Sequence, residues 1–165
     1  MRASAAALFA ALLIAATAPG PLDRIAAGGS ASAVLDGWCR ARGLPHLHAQ
    51  RLPQRRTPDR AVRAAFGSSG GARISYRRVR LACGVRTLSV ADNWYLPARL
   101  SPDMNHQLES SDAPFGLVVR PLAFRRRTLS AAPDAQGHFV IRAELIDRAG
   151  APFSYVVERY SPLPR

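Results

Sequence analysis

The sequence predicts one α+β domain with a single antiparallel β-sheet and short helices on one side. Two pairs of β-rich segments predict the sheet: 74–83 with 87–96, and 137–145 with 152–160, each pair joined by a short turn. Such pairs are typical of β-hairpins, and hairpins without strand–helix–strand units favour antiparallel pairing. With 165 residues, 48% of them hydrophobic, the chain is long enough for one domain with a sizeable core.

The N-terminal segment has the order of a secretory signal peptide. A positively charged start precedes an uncharged apolar run at 5–16, and small residues follow at 16–18. The run is too short to cross a hydrocarbon core of ~30 Å. We therefore expect a signal peptide over 1–18, ending at the latest near residue 27, and export to the periplasm or the outside with no stable membrane insertion after cleavage. A retained membrane anchor or an apolar N-terminal helix is the alternative.

The next segment is rich in Gly, Ala, Ser and Pro, and it is predicted to be a linker over 19–33. The folded domain is expected over 34–165. It begins with a helix at 33–43 and a short strand at 48–52. A second helix, with Thr57 as its N-cap, is predicted next because a proline and an acid follow that threonine.

The second half begins with the first hairpin and continues with two short helices. Ser101, Pro102 and Asp103 repeat the opening of cap, proline and acid, which predicts a helix at 104–109. Another helix is expected to start at Pro114. Three strands are then expected at 122–129, 137–145 and 152–160.

The charge is strongly basic and is carried by arginine alone. The net charge is +12, and all 23 basic residues are Arg. This balance weakly favours anionic partners in general. No helix-turn-helix pattern is present and the arginine run at 125–127 is interpreted as a solvated strand face, so no nucleic-acid partner is expected. The sequence does not predict an oligomeric state.

The residue types that form metal and redox sites are sparse. Cys39 and Cys83 are the two cysteines; in an oxidising compartment they are able to form one disulfide, and two buried thiols are the alternative. His46 and His48 share one face of a strand-like stretch, but no acid or cysteine nearby completes a ligand set. The common hydrolase, metalloprotease and P-loop motifs do not occur. We therefore predict no metal and no cofactor.

An ordered set of short patterns runs through the second half, at 76–83, 91–97, 113–116 and 157–162. The order and spacing resemble the chorismate lyase family, whose sheet is shared with the small-molecule sensing domains of some transcription regulators. The resemblance covers roughly half of the chain. It implies a chorismate lyase-like antiparallel fold and a cofactor-free enzyme that releases pyruvate from chorismate and leaves 4-hydroxybenzoate.

The resemblance also implies roles for three residues. Arg78 matches the arginine that holds a substrate carboxylate, a role that suits the planar guanidinium fork. Phe115 matches an apolar residue of the pocket. Glu158 matches the proton donor, and a glutamate in an apolar pocket would keep its proton near neutral pH. The hypothesis requires Arg78 and Glu158 to meet in one cavity.

Two features depart from the family pattern. Asn93 stands where the family enzymes carry a second arginine, and the lost charge-assisted contact is worth ~1.5–3 kcal/mol. The expected export also separates the protein from chorismate, a cytoplasmic metabolite. Both favour the alternative of an exported, non-catalytic binding protein for a small aromatic or anionic ligand in the same pocket, with Asn93 as a binding residue. A basic surface for nucleic acid or anionic lipid is a third possibility that rests on charge alone.

Overall fold

The computed structural model describes residues 18–67 and 71–163. The helices of this part are α1 (Pro21–Ala26), α2 (Ala31–Arg40), α3 (Arg60–Ala65), α4 (Pro102–Ser110) and α5 (Phe115–Val118). The strands are β1 (Leu47–Arg51), β2 (Ser75–Cys83), β3 (Arg86–Tyr95), β4 (Arg125–Pro133), β5 (Phe139–Ile146) and β6 (Pro152–Tyr160). Single 3-10 turns at Pro97–Arg99 and Arg120–Leu122 precede α4 and β4. Apart from Ala18, the expected signal peptide at 1–18 lies outside the described residues and stays a prediction.

The six strands form one antiparallel sheet in the order β1-β2-β3-β6-β5-β4. The two expected hairpins are β2–β3 and β5–β6, and they join through the pairing of β3 with β6 at the centre. β1 and β4 form the outer edges. The predicted α+β fold with a single antiparallel sheet is confirmed.

Consecutive residues of a strand point to opposite faces of the sheet, so the register assigns each polar side chain to a face. On the first face, here called the cavity face, Arg77 pairs with Asn93, and Glu158 lies on the same face. On the second, called the opposite face, Arg78 pairs with Asp92. Arg77 and Arg78 are adjacent in β2 and therefore lie on different faces of the sheet.

The helices cover the two faces unequally. α1, through the fully buried Ile25, and α2 pack on the cavity face, as do α4 and α5 through Leu108 and Phe115. α3 packs Val62 against Trp94 on the opposite face. The expectation of helices on one side thus holds for four of the five, and α3 covers the apolar part of the other face. None of the helices in the described residues is long and apolar enough to cross a membrane.

The segment predicted as a linker is part of the fold. Residues 19–33 contain α1 and the first turn of α2. Leu22, Ile25 and Ala26 have the spacing of one helical face and pack into the core beside α2, and the Asp23 carboxylate accepts from the Gly20 N–H at 2.9 Å. The sequence did not predict α1 because this apolar face is short and lies among small residues. Cleavage near residue 27 would remove α1 from the core.

Local sequence patterns predicted the N-cap of α4 but not the N-cap of α3. Ser101 caps α4 as predicted, accepting from the Met104 N–H at 3.2 Å. The cap of α3 is Asp59 instead of Thr57, since the Asp59 carboxylate accepts from the Val62 N–H at 2.9 Å. Aspartate and threonine are both good caps, so the sequence did not distinguish them.

Cys39 and Cys83 are joined by a disulfide, with their Cα atoms 6.1 Å apart. Both residues are buried in the core between α2 and β2. Of the two alternatives that the sequence left open, the structure has the bond. It fixes the helix that borders the cavity to the strand that carries Arg77.

Candidate functional site

A small cavity lies between the cavity face of the sheet, the start of α2 and the start of α5. The volume of the cavity is about 40 Å³, which is room for roughly three water molecules. Most of the wall is apolar. The polar wall residues are Ser30, Ser32, Arg77, Asn93, Arg126 and Glu158. Below, this is called the cavity.

Arg77 is a buried cation without a carboxylate partner among the described residues. It is 5% exposed, and its guanidinium donates to the backbone carbonyls of Ala113 at 3.2 Å and Ser111 at 3.4 Å. Burial, helped by the nearby charge of Arg51, lowers the pKa of Arg77 to about 10. A buried charge is costly unless it is paired, and the backbone carbonyls of Ala113 and Ser111 offset that cost only in part.

Arg126 and Glu158 form an ion pair across the cavity. Both oxygens of Glu158 accept from the Arg126 guanidinium, and the side chains are 3% and 7% exposed. The hydroxyl of Tyr160 donates to the same carboxylate at 2.8 Å, and burial raises the pKa of that tyrosine well above its usual range. Burial acts to lower the pKa of Arg126, but the adjacent Glu158 outweighs it and the pKa is raised. Glu158 therefore accepts hydrogen bonds from both Arg126 and Tyr160 in this arrangement.

Three buried N–H donors of the cavity residues find no acceptor within the described residues: Arg77 Nε, Asn93 Nδ2 and Arg126 Nε. The Asn93 amide oxygen is already used, because Ser154 Oγ donates to it at 2.7 Å. Unpaired buried donors cost ~1–3 kcal/mol each. Two arginines against one glutamate also leave a net positive charge. A negatively charged ligand rich in acceptors satisfies both features.

The start of α2 adds backbone donors to this wall. Ser30 is the N-cap residue but its side chain makes no capping bond, and the first helical bond runs from Val34 N–H to the Ser30 carbonyl. The N–H groups at the start of a helix attract anions. α5 approaches this turn so closely that a Cβ on Gly116 would lie 2.9 Å from Ser32 Oγ.

The structure brings together three of the four residues expected in the site. Asn93, Phe115 and Glu158 all line the cavity. Arg78 does not: it lies on the opposite face, 3.4 Å from Asp92. The prediction that Arg78 and Glu158 share one cavity is wrong, because a shift of one residue along a strand reverses the face. Arg77 occupies the place expected for Arg78.

Sequence reasoning missed two cavity arginines. Arg77 stood in the sequence beside Arg78 without a signal to choose between them, although pairing with Asn93 in the hairpin would have identified it. Arg126 was interpreted as part of a solvated run, yet alternation within 125–127 turns the middle residue inward. Among the described residues, no three His, Cys, Asp or Glu side chains are grouped to hold a metal ion.

No family model matches the chain. An uncharacterized protein of Sinorhizobium fredii, y4mC, is 42% identical over 107 residues, which are 62% of this chain. The match spans less than half of that relative, 45% of its length.

Solved structures with a similar fold include two ligand-binding or effector domains and a longer chain that contains one. The effector domain of PhnF from Mycobacterium smegmatis has a TM-score of 0.57 at 16% identity over 80% of this chain and 88% of its own. A longer structure of PhnF gives 0.58 at 15% identity, over 80% of this chain and 63% of its own. The ligand-binding domain of a GntR-family regulator from Bordetella bronchiseptica gives 0.53 at 14% identity, over 72% and 84%. The chain thus has the fold of GntR-family ligand-binding domains.

Proposed function

We propose that the protein binds a small anionic ligand in the cavity, without turnover. The observation that carries the proposal is the set of three unpaired donors on Arg77, Asn93 and Arg126. The residues that carry these donors line one cavity of net positive charge, and a bound anion offers acceptors that the described residues do not supply. The fold of GntR-family ligand-binding domains supports a binding role.

The residues that line the cavity indicate the chemical class of the ligand. A carboxylate takes two N–H donors at once from a guanidinium and suits Arg77. Phe115 and Phe124 line the apolar side of the cavity, which favours a ligand with an aromatic or aliphatic body. Because about 40 Å³ is open, a ring enters only if these side chains move. We therefore propose a compact aromatic or aliphatic carboxylate.

Export remains part of the proposal. Disulfides persist in oxidising compartments and are rare in the cytosol, so the Cys39–Cys83 bond supports an exported protein. Signal cleavage before Pro19 would leave α1 in place, whereas cleavage near residue 27 would remove its buried Ile25.

The chorismate lyase activity is the second candidate. It is favoured by the position of Glu158, which lies in the cavity with Asn93 and Phe115. Proton donation requires that Glu158 first release Arg126 and acquire a proton, since both of its oxygens now accept from that guanidinium. Binding needs no such step, and for this reason we place binding first.

Calorimetric titration of the purified protein with benzoate, 4-hydroxybenzoate and uncharged benzamide tests the binding proposal. We expect the two carboxylates to bind and benzamide not to bind. Arg77→Met should weaken carboxylate binding at least tenfold, the value for one lost charge-assisted contact of ~1.4 kcal/mol or more. Arg78→Met is the matched control, because it removes the same charge from the adjacent residue on the opposite face. Equal losses in the two variants would refute the cavity as the binding site.

The same protein incubated with chorismate tests the lyase candidate. Formation of 4-hydroxybenzoate that disappears in Glu158→Gln would establish turnover and replace the binding proposal. Saturable carboxylate binding with no product would exclude it.

A further inference from the structure

The opposite face carries a second cluster of charged groups, centred on Asp92. This residue is fully buried, and its carboxylate accepts from Tyr76 OH at 2.6 Å and from Arg56 at 3.2 Å. Arg159 lies 3.3 Å from the same oxygen as Arg56, and Arg78 lies 3.4 Å from the other. These five residues are here called the Asp92 cluster.

The cluster has more positive charge than its carboxylate balances. Both oxygens of Asp92 are occupied, and three guanidinium groups share its single negative charge. Asp134 lies 4.0 Å from Arg159 and offsets part of the charge of that arginine. Asp92 thus holds three cations in place, and the cluster keeps an excess of positive charge after Asp134 is counted.

The arginines of the Asp92 cluster have N–H groups that do not bind Asp92 and are available to a ligand. The side chains of Arg56 and Arg159 are 52% and 36% exposed, so each presents N–H groups to solvent. Arg78 is less exposed, and its Nε has no acceptor among the described residues. Because a shared carboxylate has already ordered these side chains, a ligand pays little additional conformational entropy to meet them.

The surroundings strengthen the positive potential. An open groove between the segment that follows β1 and the start of β2 is lined by six arginines: Arg51, Arg55, Arg56, Arg73, Arg77 and Arg78. The acid on the wall of this groove is Glu109. A concave wall of one charge sign raises the local concentration of anions.

We propose that the Asp92 cluster is a second anion site, separate from the cavity, which binds a tetrahedral dianion of the phosphate type. The excess positive charge of the cluster and of the adjoining groove attracts an anion, and three forked donors suit an oxyanion with several acceptor oxygens better than a single carboxylate. Free phosphate and the phosphate of a lipid headgroup share this chemistry, and the experiment separates them. The site does not depend on the proposed function of the cavity.

The test measures binding of inorganic phosphate to the wild-type protein and to Arg56→Gln by calorimetry and by NMR of the arginine side chains. We expect Arg56→Gln to weaken phosphate binding roughly tenfold, the effect of one lost charge-assisted contact. Arg55→Gln is the matched control, because it removes the same charge from the same groove without contact to Asp92, and we expect a change below about twofold. Both substituted side chains are exposed, so the variants are expected to fold.

Three outcomes would overturn the proposal. Equal weakening in the two variants would show attraction by diffuse charge instead of a site. Loss of all phosphate binding in Arg126→Met, which changes a cavity residue that does not line the groove, would place phosphate in the cavity. Retention on phosphatidic acid vesicles, but not on phosphatidylcholine vesicles, with no uptake of free phosphate would show that the surface needs a lipid bilayer and that the cluster alone does not bind the dianion.

Discussion

The two faces of the sheet use the same residue types in opposite ways. On the cavity face, Glu158 and Arg126 are almost fully buried and form a closed pair, while donors of the neighbouring side chains stay unused. On the opposite face, Asp92 is buried but its arginine partners reach solvent. A closed site selects a ligand by fit and by unpaired donors, whereas an open one selects by charge. Arg77 lines the cavity and Arg78 contacts Asp92, although the two are adjacent in the chain.

The largest expected difference between the faces is in stability. Glu158→Gln leaves Arg126 buried without its counter-ion, which typically costs ~3–5 kcal/mol. Asp92→Asn is expected to cost less, ~1–3 kcal/mol, because Arg56 and Arg159 are able to turn toward water. Urea unfolding of both variants at one salt concentration measures the free energies of unfolding. If Asp92→Asn costs as much as Glu158→Gln, exposure of the partners does not distinguish the faces.

The disulfide gives the next largest effect. Replacing Cys39 and Cys83 by Ala together removes the constraint on the unfolded chain and is expected to cost ~2–4 kcal/mol. Because α2 borders the cavity, the same variant should weaken carboxylate binding and leave phosphate binding to the Asp92 cluster unchanged. Thermal unfolding and the two titrations check this. A parallel loss of both ligands would mean that the bond stabilises the whole sheet instead of the cavity face.

The smallest effect concerns the titration of Tyr76. Burial, together with its hydrogen bond to Asp92, raises the pKa of Tyr76 to about 12 from 10.0. The stabilisation is complete below pH 10 and is lost as the pH rises toward 12, since the unfolded chain releases this proton first. Tyr76→Phe should therefore remove a phenolate absorbance step near pH 12 and reduce the loss of stability between these values. A step near pH 10 would show that the bond to Asp92 is not formed.

The parts of the fold that local chemistry specifies were predictable. The two hairpins follow from β-rich segments around short turns, and the Ser101 cap of α4 follows from its cap and proline. α1 was not predicted because its short apolar face lies among small residues. The candidate site was predicted in part: Asn93, Phe115 and Glu158 line the cavity, and the roles assigned to them stay predictions.

What the sequence determined by itself is the order of strands and helices after α1, the antiparallel hairpins and the excess of arginine, because each depends on residues close together in the chain. Only the tertiary structure decided which arginines are cavity residues. Arg77 and Arg126 lie on β2 and β4, at positions that face inward only in the register of the folded sheet. The face to which a side chain points reverses with each residue along a strand, so the choice between Arg77 and Arg78 depends on the register of β2 against β3. A bulge at Leu81/Ala82 shifts this register, and the sequence of β2 alone does not contain it.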